Sequence, residues 1–220
     1  MVEYQLQQST DTLSIGKIIC LARTYHKHAQ EMKTTPSSEP ILFLKPPSAV
    51  IFNNEPILLP PRSVSVHHEV ELGVVIGKKG AHIIESQAMK YVYGYLLGLD
   101  ITARDIQSEA KKHGWPWSIS KGFDTFCPIS EVVPATKISD PYSLTLTLKV
   151  NGTTRQHGST EQLLFSIPQI ISYISDIMTL EKGDLILTGT PEGVGEIKEG
   201  DTIEASLGNI CYLKHEVLRK

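Results

Sequence analysis

The chain has 220 residues, of which 40% are hydrophobic and 20% charged, a balance that fits one globular domain over residues 1–220 and excludes disordered or fibrous classes. The formal net charge is −3 with Lys and Arg spread along the chain, so no basic patch for nucleic acid is expected, and no apolar run reaches the ~20 residues of a membrane-spanning helix. Cys20, Cys127 and Cys211, odd in number and widely spaced, read as reduced core thiols, and with no signal-peptide pattern over Met1–Ile15 a cytoplasmic location is expected.

Strands are predicted wherever short β-branched runs are bounded by Gly and Pro, the first over Lys17–Leu21. A short helix is predicted over Tyr25–Met32, where His28 and Glu31 stand at i, i+3, a spacing at which a carboxylate can orient an imidazole as a general base. His26 is an alternative to His28, and plain surface exposure is an alternative for both. Lys33–Pro40 is the most loop-like stretch, and Ile41–Leu44 is the next strand.

Val64–Ile76 is predicted as one strand. Its even-numbered positions, from Val64 through His68 to Ile76, form a core face, which leaves Glu69 and Glu71 together on the other, roughly 7 Å apart by strand geometry. Two carboxylates so placed can converge on a hard cation such as Mg²⁺. Taken alone, Glu-x-Glu on an edge strand is more often a solvated face. His67-His68 fails as a zinc pair because adjacent strand residues point to opposite faces.

Asp100 follows the strand predicted over Tyr91–Leu99, at a junction that suits either a site or a helix cap. The helix beyond it is predicted from Thr102, where Thr102-Ala-Arg-Asp105 resembles a capping box, to about Lys112 before Gly114, with Arg104 and Gln107 on one face. Leu144–Val150 alternates with period two and meets Asn151-Gly152, a strong hairpin signal, before Thr153–Gln156 returns. Pro168 opens a helix whose apolar stripe, Ile170, Ile171, Ile174, Ile177 and Met178, ends near Gly183. The last strands are Leu185–Thr188 and Thr202–Ser206. Between them, Leu187–Gly195 is a Gly/Pro turn whose N–H groups and Thr hydroxyls can bind an anion, without the Gly-Lys-Ser/Thr of a phosphate loop.

The ordered segments Ile19–His28, Phe43–Pro46, His67–Gly73, Gly98–Asp105, Ser120–Asp124 and Leu187–Gly195 together resemble the fumarylacetoacetate hydrolase superfamily, nearest its acylpyruvase and oxaloacetate decarboxylase branch. The resemblance implies an α+β fold of layered mixed β-sheets, roll- or sandwich-like with a few short helices, assembled as a homodimer. It implies Glu69, Glu71 and Asp100 as ligands of Mg²⁺, with Mn²⁺ or Ca²⁺ as substitutes. His28 and Glu31 become the water-activating dyad and Lys121 a further catalytic residue, while Arg23, Lys45, Arg104, Gln107 and Thr190 contact a small 2-keto acid.

The activity implied is cleavage of the carbon–carbon bond of acylpyruvates to pyruvate and a carboxylic acid, with oxaloacetate decarboxylation beside it. Isomerisation and decarboxylation of 2-hydroxyhepta-2,4-diene-1,7-dioate, and tautomerisation of oxaloacetate, are the alternatives. A non-catalytic, metal-binding regulatory protein is the reading of a different class, and retention of His28 and Glu31 weighs against it. One departure stands just before the dyad: Ala22-Arg-Thr-Tyr25 replaces the family's usual Gly-Arg-Asn-Tyr.

Overall fold

Strands dominate the computed structural model of the protein, which describes residues 2–7, 12–31 and 38–220 and, for residues 28–30, the backbone alone. Most of the expected loop Lys33–Pro40, the last residue of the expected helix Tyr25–Met32 and the His28 side chain lie outside the described residues. The helix itself spans His26–Glu31. Among the described residues no helix is long and apolar enough to cross a membrane.

The architecture is the expected one of mixed sheets with short helices. The largest sheet has eight strands, running Ile41–Lys45, Ile18–Ala22, Leu185–Leu187, Val70–Ile76, Val92–Leu99, Cys127–Ile129 and Val50–Phe52, with Val133–Pro134 also paired to Val92–Leu99. A second sheet orders Thr153–Ser159, Thr145–Val150, Thr202–Leu207, Cys211–Arg219 and Ile57–Leu59. Its first hairpin turns at Asn151 and Gly152, both at positive φ (51° and 75°), the backbone that an Asn-Gly pair adopts readily. The larger core lies between these sheets, where Leu146, Leu148, Ile203, Leu213 and Val217 meet Val70, Leu72, Val74 and Ile76. Ile167–Ile177 adds Ile167, Ile170, Ile171 and Ile174 to it. That helix is held at its start by a Ser166–Gln169 capping box and ends where Met178 turns extended, well short of Gly183.

The strand expected over Val64–Ile76 is two strands in two sheets. Val66–His68 pairs with Gly195–Ile197 and Thr102–Ala103 in a small third sheet, whereas Val70–Ile76 belongs to the large one. Val64, expected in the core, is 85% exposed. The odd face is not solvated either: Val75 joins a second core with Leu96, Leu185 and Leu187 on the far side of the large sheet. A sheet covered on both faces needs strands apolar on both, and Val70–Ile76 is buried at every position.

The neighbouring strand breaks at the same level. Val92–Leu99 leaves the large sheet at Asp100 and re-forms as Thr102–Ala103 in the small one. Val70 pairs with Leu99, and the Asp100 N–H donates to the Glu69 carbonyl at 2.8 Å. Glu69 and Asp100 therefore face each other across a corner where two antiparallel strands change sheets together. The helix beyond spans Arg104–His113 and starts from Ala103 without a side-chain cap, so the expected Thr102–Asp105 box does not form. Asp105 instead accepts from the Ser63 hydroxyl (2.6 Å) and the Val64 N–H (2.9 Å), fastening the loop that precedes the corner.

Candidate metal centre

Glu69, Glu71 and Asp100 each offer an oxygen lying within 4.8 Å of the others, and all three side chains are buried. Glu69 and Asp100 come from the corner; Glu71, two residues into its strand, reaches the same point from beside it. Three carboxylates packed together repel one another, so the surrounding groups decide what the cluster can be.

Glu69 is bound by Arg104 through one oxygen and by Lys121 Nζ at 2.9 Å through the other. Lys121 also donates to Asp100 Oδ2 at 2.5 Å and to the Thr102 hydroxyl at 2.7 Å, which uses all three ammonium hydrogens. Burial works to lower the Lys121 pKa, but the Asp100 and Glu69 charges outweigh it and raise it above the ordinary lysine value. Lys121 is thus held in place by the carboxylates that it joins.

Asp100 Oδ1 is different. Lys45 Nζ lies 2.8 Å from it, yet the Lys45 hydrogens go to the carbonyls of Ile101, Lys121 and Phe126 at 2.7–3.0 Å. Asp100 Oδ1 is left fully buried with no hydrogen-bond donor. Glu71 accepts one backbone bond, from the Gly189 N–H at 2.7 Å. Burial first, then the Asp100 and Glu69 charges, push its carboxyl well above the usual carboxylate range. A buried carboxylate with one donor, crowded by two others, is what a hard, oxygen-preferring divalent cation would complete. The donor set contains no Cys or His, so it suits Mg²⁺ or Mn²⁺ better than Zn²⁺.

The Gly/Pro turn after Leu185–Leu187 binds anions, but they are the protein's own. Gly189 holds Glu71, and the Gly193 N–H lies 3.2 Å from both oxygens of Glu31. Gly189 sits at φ 95°, and a Cβ there would lie 1.9 Å from the Thr24 hydroxyl. That hydroxyl donates to the Thr188 carbonyl at 2.6 Å. The departure at Thr24 from the family pattern therefore ties the Arg23 loop to this turn.

Thr190, from the same turn, is oriented by Gln156, a residue absent from the sequence-based reading. The Val70 N–H donates to Gln156 Oε1 at 3.1 Å, which fixes the amide, and Nε2 donates to Thr190 Oγ1 (2.8 Å) and the Pro191 carbonyl (2.9 Å). With an amide hydrogen on its oxygen, Thr190 keeps its own proton to donate elsewhere. The His68 Nδ1, 2.9 Å from the same Oε1, must carry a hydrogen, and burial lowers the His68 pKa, so this imidazole is neutral. Only the inward pointing of His68 was legible beforehand; the partner is 88 residues away in sequence.

A cavity of about 170 Å³ opens onto the centre, lined by Arg23, Phe43, Glu69, Glu71, Arg104, Gln107, Trp117, Lys121 and Thr190, among others. It is smaller than the ~300–1,000 Å³ of sites for drug-sized ligands and suits a compact organic acid. Arg104 donates to Gln107 Oε1 at 2.6 Å. Lys45 does not line the cavity; it lies behind Asp100 with its side chain sealed from solvent. Lys111, one turn beyond Gln107, lines the cavity and was not anticipated.

The family model described as Fumarylacetoacetate (FAA) hydrolase C-terminal matches residues 17–218. The chain belongs to the fumarylacetoacetate hydrolase family. Among its relatives within that family is the mitochondrial oxaloacetate tautomerase FAHD1 of Mus musculus, 54% identical over 202 residues that cover 92% of this chain and 91% of the relative. Fumarylpyruvate hydrolase from Pseudomonas aeruginosa, solved in complex with Mn²⁺ and pyruvate, superposes with a TM-score of 0.96 at 35% identity, covering 100% of this chain and 96% of that one. The 2-hydroxyhepta-2,4-diene-1,7-dioate isomerase from Mycobacterium marinum gives a TM-score of 0.83 at 38% identity, over 94% and 76% of the two chains. The chain thus joins membership of an enzyme family to a cluster of three carboxylates that could hold a metal ion.

Proposed function

We propose that the protein acts on oxaloacetate and related 2-oxo acids at a divalent-cation site formed by Glu69, Glu71 and Asp100, with keto–enol tautomerisation of oxaloacetate as its principal activity. The observation that carries the metal site is the convergence of three buried carboxylates, each offering an oxygen within 4.8 Å of the others. The FAHD1 likeness points to the reaction. A divalent cation, Mg²⁺ or Mn²⁺, supplies Lewis-acid chemistry to the carboxylate and 2-oxo oxygens of the substrate when bound.

The chain's own residues do the rest. Arg104 and Gln107, tied together across one helical turn, present donors to the 1-carboxylate, and Thr190 turns its free hydroxyl proton to the substrate. Lys121 holds Glu69 and Asp100 in place and, as an ammonium, would add positive charge where negative charge develops at the 2-oxo oxygen. In tautomerisation the C3–H bond breaks, its electron pair forms the C2–C3 double bond, and the oxygen at C2 gains a proton. The base is assigned to the expected His28–Glu31 pair, whose carboxylate member is held by Gly193.

Acylpyruvate hydrolysis is the second reading, favoured by the likeness to fumarylpyruvate hydrolase. It uses the same pair to deprotonate a water that adds to the acyl carbonyl; the carbon–carbon bond then breaks and its electron pair goes to the pyruvyl C3. Assays of the purified protein with enol- and keto-oxaloacetate, acetylpyruvate and fumarylpyruvate, with Mg²⁺ or Mn²⁺ and after EDTA, test the proposal. Metal-dependent interconversion of the oxaloacetate tautomers, lost in H28A, is expected. Turnover unaffected by EDTA, or an H28A variant as fast as the parent, contradicts it.

A further inference from the structure

Two cations in the cavity wall make no ion pair among the described residues. Arg104 is bound to Glu69 and Lys121 to Glu69 and Asp100, whereas for Arg23 and Lys111 no such pair is seen among the described residues. Arg23 is a non-glycine residue at φ 61°, a backbone that is sparsely populated and persists where surrounding structure holds it. Here Thr24, buried and bonded to Thr188, does so.

Lys111 shares a helix face with Arg104 and Gln107 at i, i+3 and i+7. It stands about 6 Å along the axis beyond Gln107, away from the carboxylate cluster. Its stem leans over Trp117, with Nζ 5.1 Å from the ring. The residue as a whole is exposed, but its ammonium end is crowded by the cavity wall. That partial burial and the like charges of Arg104 and Arg23 lower its pKa to about 8. Two cations that line one cavity and feel each other's charge repel, and an anion bound there relieves the repulsion.

We infer that Arg23 and Lys111 form a distal anion subsite that binds the second carboxylate of a dicarboxylic 2-oxo acid, making Lys111 a specificity-determining residue. The inference rests on the 2-oxo acid reading proposed above. The Gln107–Lys111 separation is one that the carbon chain of a short dicarboxylic acid bridges, its 1-carboxylate lying toward Arg104 and its far carboxylate at the mouth. A monocarboxylate of the same length fills the inner part and leaves Lys111 unneutralised.

Calorimetric titration of the Mn²⁺-loaded full chain with 2-oxoglutarate and with 2-oxopentanoate, which differ by the terminal carboxylate, isolates this subsite without relying on turnover. The parent protein is expected to bind the dicarboxylate at least about tenfold more tightly, as one charge-assisted contact allows. In K111M and K111Q, at an exposed position that leaves folding intact, the preference falls to within about twofold of unity while 2-oxopentanoate binding stays measurable; K111R keeps most of the preference. A parent protein without preference, or K111M and K111Q variants that keep it, overturns the inference alone. A parent protein that binds neither ligand defeats the 2-oxo acid reading and this inference with it.

Discussion

At the scale of single residues, the site depends on which hydrogens are already committed. Gln156 spends its oxygen on the Val70 N–H and the His68 Nδ1–H and its amide hydrogens on Thr190 and Pro191, so replacing it by Leu strands four buried polar groups. Q156L is expected to lower the unfolding free energy by about 1–3 kcal/mol and to weaken 2-oxo acid binding. Urea denaturation and ligand titration of the same variant check both, and a parent-like denaturation midpoint contradicts the arrangement.

Lys111 gives a pH dependence with a definite sign. Arg104, Arg23 and Lys121 face it with like charge and Glu69 with opposite charge, and its pKa of about 8 lies below the ordinary lysine value. The ammonium form is therefore present at pH 7 and lost as pH rises through about 8, well before an ordinary lysine titrates. Preference for 2-oxoglutarate over 2-oxopentanoate should be flat below pH 7 and decline above 8. The unfolded state binds more protons than the folded one between pH 8 and the ordinary lysine value, so this group adds stability as pH rises across that window. A preference that stays constant to pH 9.5 argues against Lys111 as the contact.

At the scale of elements, the paired strand breaks at Glu69 and Asp100 make the centre a property of the corner. Lys45 supports it from behind, giving three hydrogen bonds to carbonyls of the segments that follow the corner and standing 2.8 Å from Asp100. K45M removes one partner of a buried charge cluster, a change that commonly costs about 3–5 kcal/mol. Thermal melts of the EDTA-treated protein should show a loss of that order, and a melting point close to the parent's contradicts the supporting role. Gly189 is the second constraint, since a side chain at φ 95° would collide with Thr24 and displace the N–H that holds Glu71. G189A should lose divalent-cation affinity without any ligand having been changed.

At the scale of the whole molecule, the sequence carried the ligand set further than it carried the sheets. The triad, Arg104, Gln107, Lys121 and Thr190 were nameable because the motifs that hold them are contiguous. The division of Val64–Ile76 between two sheets was not, because Val70–Ile76 is apolar on both faces and alternation continues through His68 without marking the break. Cys211–Arg219 escaped notice for a related reason: the buried His215 interrupts the apolar inward face, and Tyr212 and Leu218 lie on the outer one. Gln156 and Lys111 carry no local motif, and only the fold brings them to the site. Cys211, expected in the core with the other two thiols, is partly exposed.

The central claim is that the three carboxylates form one divalent-cation site. Titration of Mn²⁺ into the metal-free protein, read by calorimetry, tests it most directly when parent and E71Q are compared. The account predicts one Mn²⁺ per chain for the parent, competed by Mg²⁺, with stabilisation of about 2.7 kcal/mol at a hundredfold excess over Kd, and for E71Q a folded protein whose affinity is lower by tenfold or more. A parent protein that takes up no Mn²⁺, or an E71Q variant that binds it as tightly as the parent, contradicts the account.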